Sequence, residues 1–221
     1  MSKISLLGDS IIDNKVYVKD GEFSVLEHLK SLSDHNYIQL AVDGDTTFEV
    51  SDGQLSELDK DNDFIILSIG GNDLLEHLPL LLDNINKHTF TRNLEIINEF
   101  LEPIRERYEK IVEHLSKENG ELLLCTVYNG DFERDIGHER FEENEELIFG
   151  MGDLLKGQQV AATVLARVFN DVVYSTGSKF NVDVLELREI FTESNDYANP
   201  IEPSHAGGEK LAKEIIKWIE N

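Results

Sequence analysis

Four short segments hold residues that could do chemistry together: Gly8-Asp9-Ser10, Asp43-Gly44-Asp45-Thr46, Gly70-Gly71-Asn72-Asp73 and Glu202-Pro203-Ser204-His205. The chemistry they suggest is nucleophilic attack by a serine. A serine hydroxyl is a poor nucleophile until a base, a group orienting that base, and oxyanion donors surround it. His205 offers an imidazole that can take the Ser10 proton near neutral pH. Glu202, three residues earlier with the rigid Pro203 between, can bond the other ring nitrogen and fix its tautomer. The Ser10 N–H, the Gly44 N–H and the side-chain amide of Asn72 are candidate donors to a developing oxyanion. Glycine at 44 lets the backbone approach a ligand with no Cβ in the way. Each segment alone also reads as a turn feeding a helix cap; the set is what points to catalysis.

For these residues to meet, the elements before them must deliver them to one edge. Five apolar segments read as strands: Ile4–Leu7, Tyr37–Val42, Phe64–Ile69, Leu122–Tyr128 and Val182–Leu185. Several are continuous apolar runs, the pattern of parallel strands covered on both faces. Helical periodicity fills the intervals at Glu22–Leu32, Thr91–Lys117, Gln158–Tyr174 and Glu209–Ile219, with Pro103 expected to kink or divide the second. Strands alternating with helices predict a single α/β domain over residues 1–221, three layers deep, with about five mostly parallel strands. In such sheets the carboxyl ends of the strands form the ligand edge, and Ser10, Gly44 and Asn72 each follow a strand. Residues 129–157 form an acidic insertion after the fourth strand, which reads equally as a lid or substrate wall and as a solvated surface loop with a short helix.

Composition limits the partners. The chain has 221 residues, 44 acidic against 20 basic, and a formal charge of −24. That field repels nucleic acid and anionic membrane surfaces and favours a neutral small-molecule substrate. No apolar stretch approaches the ~20 residues needed to span a bilayer, so no membrane insertion is expected. The N-terminus lacks the charged, apolar and small-residue pattern of a secretory signal, which predicts a cytoplasmic protein. Cys125, the single cysteine, lies in an apolar run and reads as a core residue. His77, His88, His114 and His138 lie in polar contexts and read as surface residues, and no metal site is expected. The chain has no G-x-S-x-G elbow, phosphate-binding loop or strand-linked G-x-G-x-x-G, and nothing in it reports the oligomeric state.

The ordered set resembles the SGNH, or GDSL-type, hydrolases and esterases. Their four blocks match as GDSIID at Gly8–Asp13, a glycine at Gly44, GGND at Gly70–Asp73, and an acid-x-x-His at Glu202–His205. The resemblance implies a flavodoxin-like α/β/α sandwich, no metal or cofactor, and cleavage of carboxylic esters or thioesters through an acyl-serine. It makes Ser10 the nucleophile, His205 the base, Glu202 the triad acid, and Ser10, Gly44 and Asn72 the oxyanion hole. The family usually has Asp where this chain has Glu202. That departure leaves a second expectation open, a catalytically weak or inactive ligand-binding protein on the same fold. Acyl transfer in place of hydrolysis would use the same residues.

Overall fold

The computed structural model describes residues 1–84, 87–132 and 158–221. Its centre is a parallel sheet of β1 (Lys3–Gly8), β2 (Asn36–Gln39), β3 (Phe64–Ser68), β4 (Glu121–Cys125) and β5 (Asp183–Leu185), in the spatial order β2-β1-β3-β4-β5. Residues one apart on these strands serve opposite faces. Leu7, Ile65, Leu67, Leu122 and Leu124 enter one core, while Ile4, Leu6, Ile66, Leu123 and Cys125 enter the other. Continuous apolar strands are thus explained by helices on both sides, and the expected three-layer architecture is the observed one.

On one face lie α1 (Val25–Leu32) and the C-terminal helix, α5 (His205–Ile219); on the other lie α2 (Gly71–Asn84), α3 (Phe90–Leu115) and α4 (Gln159–Phe180). Their ends follow local chemistry. Ser24 and Glu27 close α1 with a reciprocal capping box, and Ser204 caps α5 by accepting from the Gly207 N–H at 3.2 Å. Helix α3 buries Leu101, Ile104, Tyr108, Ile111 and Leu115 along one stripe. The expected division at Pro103 does not occur, and α3 runs through it as one helix. The backbone bond that proline removes would end on the Glu99 carbonyl, and Glu99 is exposed, so water can take that carbonyl. Helix α2 was not legible from periodicity, because it opens on glycine and contains Pro79.

The strand order reverses between β1 and β3. In open α/β sheets this is where the loops leaving neighbouring strands separate and a crevice opens at the carboxyl edge. The loop after β1 carries Ser10 and the first turn of α2, directly after β3, carries Asn72, so the fold itself places these two together. The acidic insertion expected over 129–157 lies outside the described residues from 133 onward. Among the described residues, no helix is long and apolar enough to cross a membrane.

Candidate active site

Strand β1 ends at Gly8, whose φ of 139° lies in the region that favours glycine. A Cβ there would fall 1.8 Å from the Ser68 carbonyl oxygen. The Gly8 amide and carbonyl are both held by the Gln54 side chain, at 2.9 and 2.7 Å. Gln54 also donates to the Asp45 carboxylate at 2.7 Å. One buried glutamine therefore ties the end of β1 to the loop after β2. Asp9 follows, buried, with its Oδ1 accepting from the Ile11 N–H at 3.0 Å. That bond tightens the turn and leaves Ser10 at its corner.

Ser10 and Asn72 line one cleft, together with Asp9 and Glu202. Asn129 adds one more polar side chain, and most of the remaining wall is apolar, drawn from α2 (Leu74, Leu78), α4 (Leu165, Ala166) and the loop after β4 (Val127, Phe132). One Asn72 Nδ2 hydrogen donates to the Asp45 carbonyl at 2.9 Å, which fixes the amide while its second hydrogen stays available. Gly44 has a φ of 88° and sits outside the set of cleft-lining residues, in the loop that Asn72 and Gln54 hold. Neither the Ser10 N–H nor the Gly44 N–H has a protein acceptor among the described residues.

The expected relay from Ser10 through His205 to Glu202 is not the arrangement found. Glu202 itself reaches the cleft, buried, and its side chain lines it beside Ser10. His205 does not line the cleft. Its Nδ1 accepts from the Phe23 N–H at 2.9 Å and lies 3.1 Å from Nε2 of His28, whose ring is 4.5 Å away. The reason is local. Residues 203–205 turn into α5, and His205 is the first helical residue, so its side chain projects toward the start of α1 on the opposite side of the loop. Glu202 lies before that turn. Its N–H and that of Ile201 both donate to Asn199 Oδ1 at 2.9 Å, and the Pro203 carbonyl accepts from Asn14 Nδ2 at 3.0 Å. Asn14 and Asn199 thus set the loop that aims Glu202 at Ser10. Neither was singled out from the sequence, because a buried asparagine bonding backbone groups leaves no periodic signal.

Residues 6–209 match the model of the GDSL-like lipase/acylhydrolase family. The chain belongs to that family of ester-hydrolysing enzymes. No curated protein matches it by sequence. Among solved structures, it is similar to an extracellular lipase from Streptomyces rimosus at 13% identity and a TM-score of 0.64, covering 99% of both chains. A phospholipase A1 from Streptomyces albidoflavus aligns at 13% identity and a TM-score of 0.66, covering 98% of both. A catalytic mutant of an acetylxylan esterase from Geobacillus stearothermophilus aligns at 16% and 0.61, covering 99% of this chain and 94% of that one. At such identities these likenesses establish the fold, which this GDSL-family chain shares from end to end.

The electrostatics of this GDSL site are set by burial. Desolvation pushes the Glu202 carboxyl up to about 8, helped by the nearby charges of Asp43 and Asp9 and opposed by the Ser10 side chain. Asp9 is pushed up to about 8 as well, mainly by burial, with Asp73 and Asp43 adding to the effect. Asp73 is satisfied differently: it accepts from the Thr47 N–H and hydroxyl at 2.9 and 2.6 Å and faces Arg107 at 3.7 Å. Glu202 Oε2 is buried without a hydrogen-bond partner. Cys125 is buried in β4, and burial pushes its thiol up to about 12, the behaviour of a core residue. His88 and His114 are exposed, His77 is half-buried against the Phe100 ring at 4.7 Å, and His138 lies outside the described residues. Among the described residues, no three His, Cys, Asp or Glu side chains gather as metal ligands.

The raised carboxyls make stability depend on pH. A carboxyl near 8 when folded and near 4 when unfolded holds its proton more tightly in the folded state. Its stabilising contribution is complete below about pH 4 and is lost as pH rises through about 8. Glu202→Gln removes this dependence without changing shape. At pH 4 its urea midpoint is expected to match the parent protein, and at pH 9 it is expected to be more stable by on the order of 5 kcal/mol, the scale set by a carboxyl moved from near 4 to about 8. Equal differences at the two pH values would refute a buried, protonated Glu202.

Proposed function

We infer that the chain, acting as one domain over residues 1–221, hydrolyses neutral carboxylic esters by attack of Ser10 on the acyl carbonyl. The observation that carries the reading is the position of Ser10, in a cleft whose other walls are almost wholly aliphatic and aromatic. Such walls suit an acyl chain, and the adjoining carboxyls Asp9 and Glu202 disfavour an anionic one. The Ser10 oxygen bonds to the carbonyl carbon, and the carbonyl electrons move onto oxygen. The Ser10 N–H and the Asn72 amide, both on the cleft, are the donors for that oxyanion, and Gly44, expected as a third, stays outside the cleft lining. Collapse expels the alcohol and leaves acyl-Ser10, which water then cleaves to free acid.

The reading is tested by labelling with a fluorophosphonate and by turnover of p-nitrophenyl esters of increasing chain length. Labelling confined to Ser10 is expected, as is a preference for acyl chains longer than acetyl. Asn72→Ala is expected to lower kcat by about 10²–10³ with little change in KM, because its donor acts on the transition state. An unchanged kcat would remove Asn72 from the oxyanion hole. A second reading, ligand binding without turnover, is favoured by the absence, among the described residues, of an imidazole lining the cleft at Ser10. Complete resistance of Ser10 to the label from pH 6 to pH 10 would decide for it.

A further inference from the structure

We propose that Glu202, and not His205, exchanges the proton with Ser10 during ester cleavage. The proposal rests on the reading of Ser10 as the nucleophile and assigns its base. Three observations support it. Glu202 and Ser10 line the same cleft, with Glu202 buried there. His205, the histidine expected as the base, is held outside the cleft by Phe23 and His28. The loop that delivers Glu202 is fixed on both sides, by Asn199 before it and by Asn14 after it. A carboxyl held this firmly in the same cleft as the hydroxyl is placed to serve it as a general base.

The steps balance without any further reactant. Glu202 as carboxylate takes the Ser10 hydroxyl proton while the serine oxygen bonds to the acyl carbon. The resulting carboxylic acid returns that proton to the departing alkoxide oxygen as the ester bond breaks. Water then attacks acyl-Ser10, giving its proton to Glu202, which passes it to the serine oxygen when the acid leaves. An ordinary carboxylate is too weak a base for this at neutral pH. Burial raises the basicity of this one toward the working pH, and Ser10 is the one group lowering it. The groups facing Glu202 are Asp9 at the end of β1, Asp43 after β2, Tyr17 in the short helix Lys15–Tyr17, and Tyr128 after β4. Asp43 and Asp9 oppose formation of the carboxylate, the tyrosines are neutral, and none of these groups is a cation that would favour it. The active form therefore gathers above neutral pH.

The test is the rate of fluorophosphonate labelling and of p-nitrophenyl ester turnover from pH 6 to pH 10, on the full chain and two variants. The parent protein is expected to gain activity with pH along one ionisation near 8. Glu202→Gln is expected to lose at least about 10²-fold in both rates and to lose that ionisation, while its thermal unfolding shows a folded protein. His205→Ala is expected to stay within about 3-fold of the parent with the same profile. Loss of activity in His205→Ala with retention in Glu202→Gln would overturn the assignment and restore the imidazole, leaving Ser10 as nucleophile. A parent protein that resists the label at every pH would overturn both readings together.

Discussion

Ser10→Ala is expected to lower kcat for a short p-nitrophenyl ester by roughly 10⁴-fold or more, the scale seen when a serine nucleophile is removed from such a site. Fold stability is expected to change little, since the substitution deletes one oxygen and leaves a methyl group against Asp9, Ile11 and the cleft wall. The variant also has a readout independent of rate. The Glu202 carboxyl loses the Ser10 hydroxyl, the one group favouring its charged form, and should rise further. An infrared titration of the buried carboxyls would see its ionisation move to higher pH. Residual turnover within tenfold of the parent would mean that ester cleavage takes place without Ser10.

The second large effect lies at Gly8. Gly8→Ala is expected to destabilise the protein by about 4 kcal/mol or more, a large share of the ~5–15 kcal/mol that holds a typical domain together. The added Cβ would sit 1.8 Å from the Ser68 carbonyl, and the residue would have to keep a φ of 139°. Relief would require β1 and β3 to separate where they pair Gly8 with Ser68. Gly53→Ala is the control, because a Cβ there meets nothing within 4 Å and the backbone is already helical. Urea midpoints measured side by side should separate the two clearly. A loss at Gly8 below about 1 kcal/mol would show that the strand end gives way far more easily than its packing implies.

The sheet was legible in the sequence because its signal is local and repeated. Continuous runs such as Phe64–Ile69 announce a strand buried on both faces, and the turn residues after them mark the carboxyl edge. Predicted strands ran long at Tyr37–Val42 and Leu122–Tyr128, since apolar residues continue to pack after ladder pairing has stopped; Val127 and Tyr128 are buried beyond β4. The meeting of Ser10 with Asn72 was legible too, as a consequence of strand order. What the sequence could not supply was the direction of side chains around Pro203. Glu202 and His205 are three residues apart, and a helix start between them sends them to opposite sides of one loop. That outcome depends on Asn14, Asn199 and Ser204, whose bonds to distant backbone carry no spacing pattern. The buried carboxyls were hidden for a related reason: Asp9 and Glu202 are unremarkable as residue types, and only their enclosure makes them weak acids.

The strand order also governs when this protein can first act. Ser10 is made well before Glu202, and the sheet that brings them together pairs strands distant in sequence. Long-range parallel pairing is slow because loop closure comes before the contacts that reward it. On the proposed assignment, a nascent chain carries Ser10 through synthesis of the residues between them with no partner to activate it. Reactivity would then arrive with the folding of the loop that carries Glu202, which would make labelling of Ser10 a clock for that step.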